Sequence, residues 1–128
     1  MYSATVGSIK RALAEGVTLA LISRANTASN TYQTIYQTEM DLTQLNKVGI
    51  GFDLTSAALS AAWCKVIHNG VTLYEVSVPG AGGGVPEFTI VDLVAGTTKV
   101  LGVFQVQIKN GGGVSTIYLG DCQMYGIK

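Results

Sequence analysis

One histidine, two cysteines and eight carboxylates are the groups this 128-residue chain offers for chemistry. A catalytic imidazole needs a nucleophile and an orienting acid, and nothing around His68 supplies that pattern. Standing just ahead of Asn69-Gly70, His68 is expected at a strand end near solvent. Cys64 and Cys122 each fall in a segment of β character. They are either two small buried hydrophobes or one cross-sheet disulfide, which needs Cα atoms within about 7 Å and an oxidising compartment. Two cysteines and one histidine so far apart match no zinc spacing. Paired carboxylates can hydrolyse glycosides, but Glu39, Asp41, Asp53, Glu75, Glu87, Asp92 and Asp121 are scattered singly, as solubility alone requires. Gly80, Gly82, Gly83 and Gly84 lack the Lys-Ser/Thr pair and following helix of a phosphate loop, since Val85-Pro86 and a strand come next. The glycines suit a close contact between subunits instead. No catalytic residue, metal or cofactor is therefore expected.

Recognition chemistry is better supplied. Exposed aromatic rings can stack on pyranose faces, and Tyr32 and Tyr36 stand at even spacing on one strand, which would put both on one face. Trp63 could extend that platform. The competing role for such rings is to fill a core or a subunit interface.

The elements that must carry these residues are strands. Residues 3–15 place Val6, Ile9 and Leu13 at helical spacing, with Arg11 and Glu15 at i,i+4, so a short helix or an irregular arm is expected there, ended by Gly16. From Val17 the period changes to two. Arg24 to Asn30 has the composition of a polar loop. β-Branched and aromatic runs follow over 31–40, 47–54, 61–68, 71–78, 87–93, 98–109 and 114–125, with turn residues between them. Asn69-Gly70 is the firmest local signal, because a two-residue hairpin turn demands positive φ at both positions. About eight antiparallel strands in one all-β sandwich are expected. Residues 1–24 form an arm or helix plus the first strand, and residues 25–128 the body of a single domain.

Composition narrows the partners. Charged residues make up 12% of the chain and cancel to zero net charge, against about 25% charged residues in an average soluble domain. Mean hydropathy is +0.36. A surface so weakly charged does little to keep copies apart. The basic residues are dispersed, with only Lys10 and Arg11 adjacent, so a nucleic-acid partner is not expected. No apolar run approaches the ~20 residues of a membrane-spanning helix. The basic pair before Ala12-Leu13-Ala14 is interrupted by Glu15, so no signal peptide is expected.

From Asp41 onward the chain runs through 41–47 (DLTQLNK), 65–74 (KVIHNGVTLY), 88–93 (FTIVDL) and 116–126 (TIYLGDCQMYG). This order of segments resembles the galactose-binding-like jelly rolls of carbohydrate-binding modules and of phage and viral appendage or capsid-decoration proteins. The resemblance implies a jelly-roll fold. It also implies a calcium site near the last strand, but Gly120 stands where an acid is usual, and Asp121 alone cannot furnish the six to eight oxygens calcium takes. The expected function is that of a non-enzymatic structural protein of a virion or extracellular surface assembly. Its partners would be copies of itself and another capsid or appendage protein, contacted through the N-terminal arm. The alternative is a carbohydrate-binding module or adhesin recognising glycans.

Overall fold

Asn69 and Gly70 both sit at positive φ (55° and 73°), and the chain reverses sharply between them. Everything else is arranged about that hairpin. In the computed structural model, residues 16–56, 60–79, 85–112 and 116–128 are described. They form eight strands: β1 (Gly16–Thr27), β2 (Gln33–Asp41), β3 (Lys47–Ser56), β4 (Ala62–His68), β5 (Val71–Val78), β6 (Val85–Asp92), β7 (Leu101–Asn110) and β8 (Ile117–Ile127). The expected helix over 3–15 lies outside the described residues.

The pairing is nested. β4 pairs with β5, β3 with β6, β2 with β7 and β1 with β8, all antiparallel. It is one long hairpin rolled over on itself, and rolling brings β8 beside β3 and β7 beside β4. Two four-stranded sheets result, ordered β1-β8-β3-β6 and β2-β7-β4-β5. This is a jelly-roll sandwich. Two sheet faces are buried against each other, and β-branched and aromatic residues at alternate positions fill the gap. Ile50, Phe52 and Leu54 point inward from β3, Val66 from β4, Phe104, Val106 and Ile108 from β7, and Leu119 and Met124 from β8. Leu42 and Leu45, in the turn after β2, close one end.

Residues 24–27 depart from the polar loop expected there. Their ladder with β8 runs on to Thr27–Ile117, so Arg24, Ala25 and Asn26 are an edge strand whose polar composition suits its exposure. Among the described residues, no helix is long and apolar enough to cross a membrane.

Candidate functional site

The outer face of the β2-β7-β4-β5 sheet gathers the groups best suited to recognition. Along β4, Ala62, Cys64, Val66 and His68 point into the core, so Trp63, Lys65 and Ile67 point out. Along β7 the inward set is Phe104, Val106, Ile108 and Asn110, which leaves Gln105, Gln107 and Lys109 outside. The register places Trp63 beside Lys109, Lys65 beside Gln107 and Ile67 beside Gln105. On the flanking strands, Glu75 lies next to Lys65, Thr34 next to Gln107 and Gln37 next to Gln105. The amides join into rows: Gln107 Nε2 donates to Thr34 Oγ1 at 3.1 Å, and Gln105 Nε2 donates to Gln37 Oε1 at 2.8 Å.

Tyr32, just ahead of β2, is laid across this face. Its hydroxyl donates to Glu75 Oε2 at 2.6 Å. Lys65 Nζ and Lys109 Nζ stand 4.5 and 4.7 Å from the centre of its ring, and Lys109 Nζ is also 5.0 Å from the Trp63 ring. Such cation–π contacts attract ammonium groups to aromatic faces. Burial raises the Tyr32 phenol well above its ordinary range, and the bond to the Glu75 carboxylate adds to the shift. Trp63 lies against the backbone where β7 ends. A Cβ on Gly111 would come within 2.9 Å of the indole Nε1, so only glycine leaves room for that ring.

Tyr36 does not join them. β2 carries a bulge between Thr34 and Tyr36, so one extra residue intervenes and the even spacing from Tyr32 no longer means a shared face. Tyr36 turns inward, meets Phe104 edge-on at 6.5 Å and donates its hydroxyl to the Leu19 carbonyl at 3.1 Å. Of the three aromatic residues expected in a platform, Tyr32 and Trp63 come together, and Tyr36 is half-buried against the core. Lys65, Lys109 and Glu75, which the sequence did not single out, complete the cluster.

The remaining chemistry-bearing residues lie elsewhere. His68 is fully buried rather than near solvent, because it continues the inward register of Ala62, Cys64 and Val66. Its Nε2 is 3.0 Å from the Val100 carbonyl; a carbonyl only accepts, so Nε2 is the donor of that bond. Cys64 and Cys122 project inward from opposite sheets and are free buried thiols; no disulfide joins them in this structure. Burial pushes the Cys122 thiol up to about 12, and burial followed by the nearby Cys122 raises Cys64 well above the usual thiol range. Asp53 and Asp121 meet on the outer side of the other sheet. Burial first, then the charge and hydrogen bond of Asp121, raise the Asp53 carboxyl above its ordinary value. An open cleft of about 260 Å³ adjoins them, lined by Leu21, Ile22, Ser23, Asp121, Cys122 and Gln123. Among the described residues, no group of three His, Cys, Asp or Glu side chains converges as a metal site would require.

No family model matches the chain, and no curated protein matches it in sequence. Solved structures do match in fold. A CBM4 (carbohydrate-binding module) structure superposes with a TM-score of 0.58 at 13% identity, over 87% of this chain and 77% of that one. A chain from infectious bursal disease virus, Gx strain, superposes with a TM-score of 0.51 at 12% identity, over 88% of this chain and 31% of that one. Dimeric latent PorU from Porphyromonas gingivalis superposes with a TM-score of 0.50 at 8% identity, over 88% of this chain and 13% of that one. The fold is thus the jelly roll shared by carbohydrate-binding modules and viral proteins, and at these identities the likeness is one of fold.

Proposed function

We propose that this chain is a non-enzymatic structural subunit of a larger assembly, a virion component such as a capsid, capsid-decoration or appendage subunit. In this reading copies associate through the edge of β1 that no other described strand covers. The observation that carries it is a contrast among the four edge strands. An unpaired edge invites another chain to add a strand, and proteins usually blunt it with charge or proline. β6 carries Pro86, Glu87 and Asp92, β2 carries Glu39 and Asp41, and β5 carries Glu75. β1 is the longest strand, at 12 residues, and Gly16 to Ser23 holds no charge at all. Arg24, its one charged residue, lies back over the Tyr118 ring of β8 at 5.6 Å. On this edge Leu21 is 69% exposed. Zero net charge favours the same outcome, and a chain of infectious bursal disease virus shares the fold.

Light scattering coupled to size exclusion tests this on the full chain and on Leu21→Lys. The exposure of Leu21 means lysine is accommodated without disturbing the core. Oligomers for the parent chain and a smaller species for the variant are expected. A monomeric parent chain at high concentration overturns the reading.

A second reading is a carbohydrate-binding module or adhesin. The cluster of Tyr32, Trp63 and Lys109, beside the Gln105–Gln37 and Gln107–Thr34 pairs on one sheet face, favours it. The CBM4 likeness supports the fold such a module needs.

A further inference from the structure

The chain is poor in charge, yet two of its lysines converge on one aromatic ring. Lys65 and Lys109 stand on adjacent strands, and their ammonium groups lie within 5 Å of the centre of Tyr32. Two other described lysines are engaged elsewhere: Lys47 is paired with Asp92, and Lys99 Nζ donates to Asn46. The nearest acid is Glu75, whose carboxylate already accepts the Tyr32 hydroxyl. This part of the face therefore offers two positive charges against one negative charge. The same geometry disfavours an uncharged sugar on Tyr32, because ammonium groups occupy the ring face on which a pyranose would stack. Trp63 carries one ammonium group, Lys109 Nζ at 5.0 Å, where Tyr32 carries two, so it is the more open of the two rings, and the Gln105 and Gln107 amides match hydroxyl groups.

We propose that the outer face of the β2-β7-β4-β5 sheet binds an acidic saccharide, a glycan bearing carboxylate or sulfate groups, with Lys65 and Lys109 on the anionic group and Trp63 against an adjoining ring. The inference rests on the carbohydrate reading above and specifies its ligand. Hydrogen bonds from a charged donor to a charged acceptor are about twice as strong as neutral ones, so the anionic group contributes most of the selectivity and the amides set the orientation.

The test is titration calorimetry of the full chain with oligogalacturonate and a chondroitin sulfate oligosaccharide, against neutral xylo- and cello-oligosaccharides of equal length. Inorganic polyphosphate serves as the control for charge alone. Binding of an acidic oligosaccharide, weakened about tenfold or more in Lys65→Gln/Lys109→Gln, supports the proposal. Circular dichroism and a thermal melt confirm that the double variant is folded. Neutral oligosaccharides binding equally well overturn the acidic preference and leave the carbohydrate reading standing. Polyphosphate displacing the saccharide at equal charge overturns the proposal in favour of general anion attraction. Absence of binding to every saccharide overturns both readings.

Discussion

Tyr32 and Glu75, 43 residues apart in sequence, are joined by a 2.6 Å hydrogen bond over the outer face of the β2-β7-β4-β5 sheet. The bond ties the segment between β1 and β2 to the far edge strand β5. Within that segment Ser29 and Thr31 already bond each other. Replacing Tyr32 by Phe keeps the ring between its lysines and removes only the tie. Because the bond is solvent-exposed, global stability in urea should fall by less than ~1 kcal/mol. Local opening should respond more strongly: amide exchange at Thr31 is expected to accelerate while the strands stay protected. Unchanged exchange there would mean the tie does not order the segment.

Gly49 and Tyr125 face each other across β3 and β8, and the tyrosine ring lies over the glycine. A Cβ at Gly49 would meet Tyr125 Cε2 at 2.3 Å, and the ring has little freedom to retreat, being 1% exposed and stacked by Phe88 at 6.5 Å. Gly49→Ala should therefore cost about 1–3 kcal/mol, as overpacking does, measured by urea unfolding. The Tyr125 hydroxyl is buried and has no hydrogen-bond partner among the described residues. Tyr125→Phe should be neutral or slightly stabilising, since it removes an unmatched polar atom and leaves the ring. A clear loss of stability would place a partner on that hydroxyl.

The strands of the sandwich were legible because their signals are local and redundant, whereas the jelly-roll order rested on the resemblance of segments 41–126 to galactose-binding-like domains. Asn69-Gly70 demands a tight hairpin, and alternation across 47–54, 61–68 and 98–109 demands strands with one buried face. The recognition face was legible only in part. A bulge is one inserted residue, and around Ile35 the neighbours Thr34, Tyr36 and Gln37 carry no strong apolar pattern to betray it, so Tyr36 was expected on the wrong face. His68 could have been found: it completes the inward series Ala62, Cys64, Val66, and proximity to the turn obscured this. The meeting of Lys65 with Lys109 follows from β7 lying beside β4, a long-range pairing that local composition does not encode.

Asp53 and Asp121 give a pH dependence whose sign is fixed by the direction of the shift. The Asp53 carboxyl is raised above 3.8, by burial and then by Asp121, so the folded state holds that proton more tightly than the unfolded chain does. The pair therefore opposes folding at neutral pH, and the opposition fades as pH falls through the raised value toward 3.8. Asp41 acts oppositely: hydrogen bonds from the Thr43 hydroxyl and then its backbone N–H lower it below 3.8, and its contribution is lost only under more acidic conditions. Asp53→Asn is expected to raise stability at pH 7 and to abolish the gain on acidification just above pH 3.8. Urea midpoints across pH 3–7 would show it, and an identical pH profile for both proteins would refute the carboxylate pair as its source.

Cys64 and Cys122 approach the core from opposite sheets, so their chemistry reports on whether the sandwich opens. The thiolate is the reactive species. With the Cys122 thiol pushed up to about 12, its thiolate fraction at pH 8 is on the order of one in ten thousand, and burial raises the Cys64 thiol as well. Each sulfur is also shielded, with both residues about 1% exposed. In the folded protein neither thiol should react with Ellman's reagent at pH 8 on the timescale of minutes, and both should react at once in urea. The slow native rate should then follow the unfolding equilibrium, since modification requires the strands to part. Prompt modification of Cys122 alone would locate a local opening of β8 beside Asp121, where the register with β3 shifts and the backbone holds a non-glycine residue at a φ of 48°. Prompt modification of both would show that the two sheets separate well below the global unfolding transition.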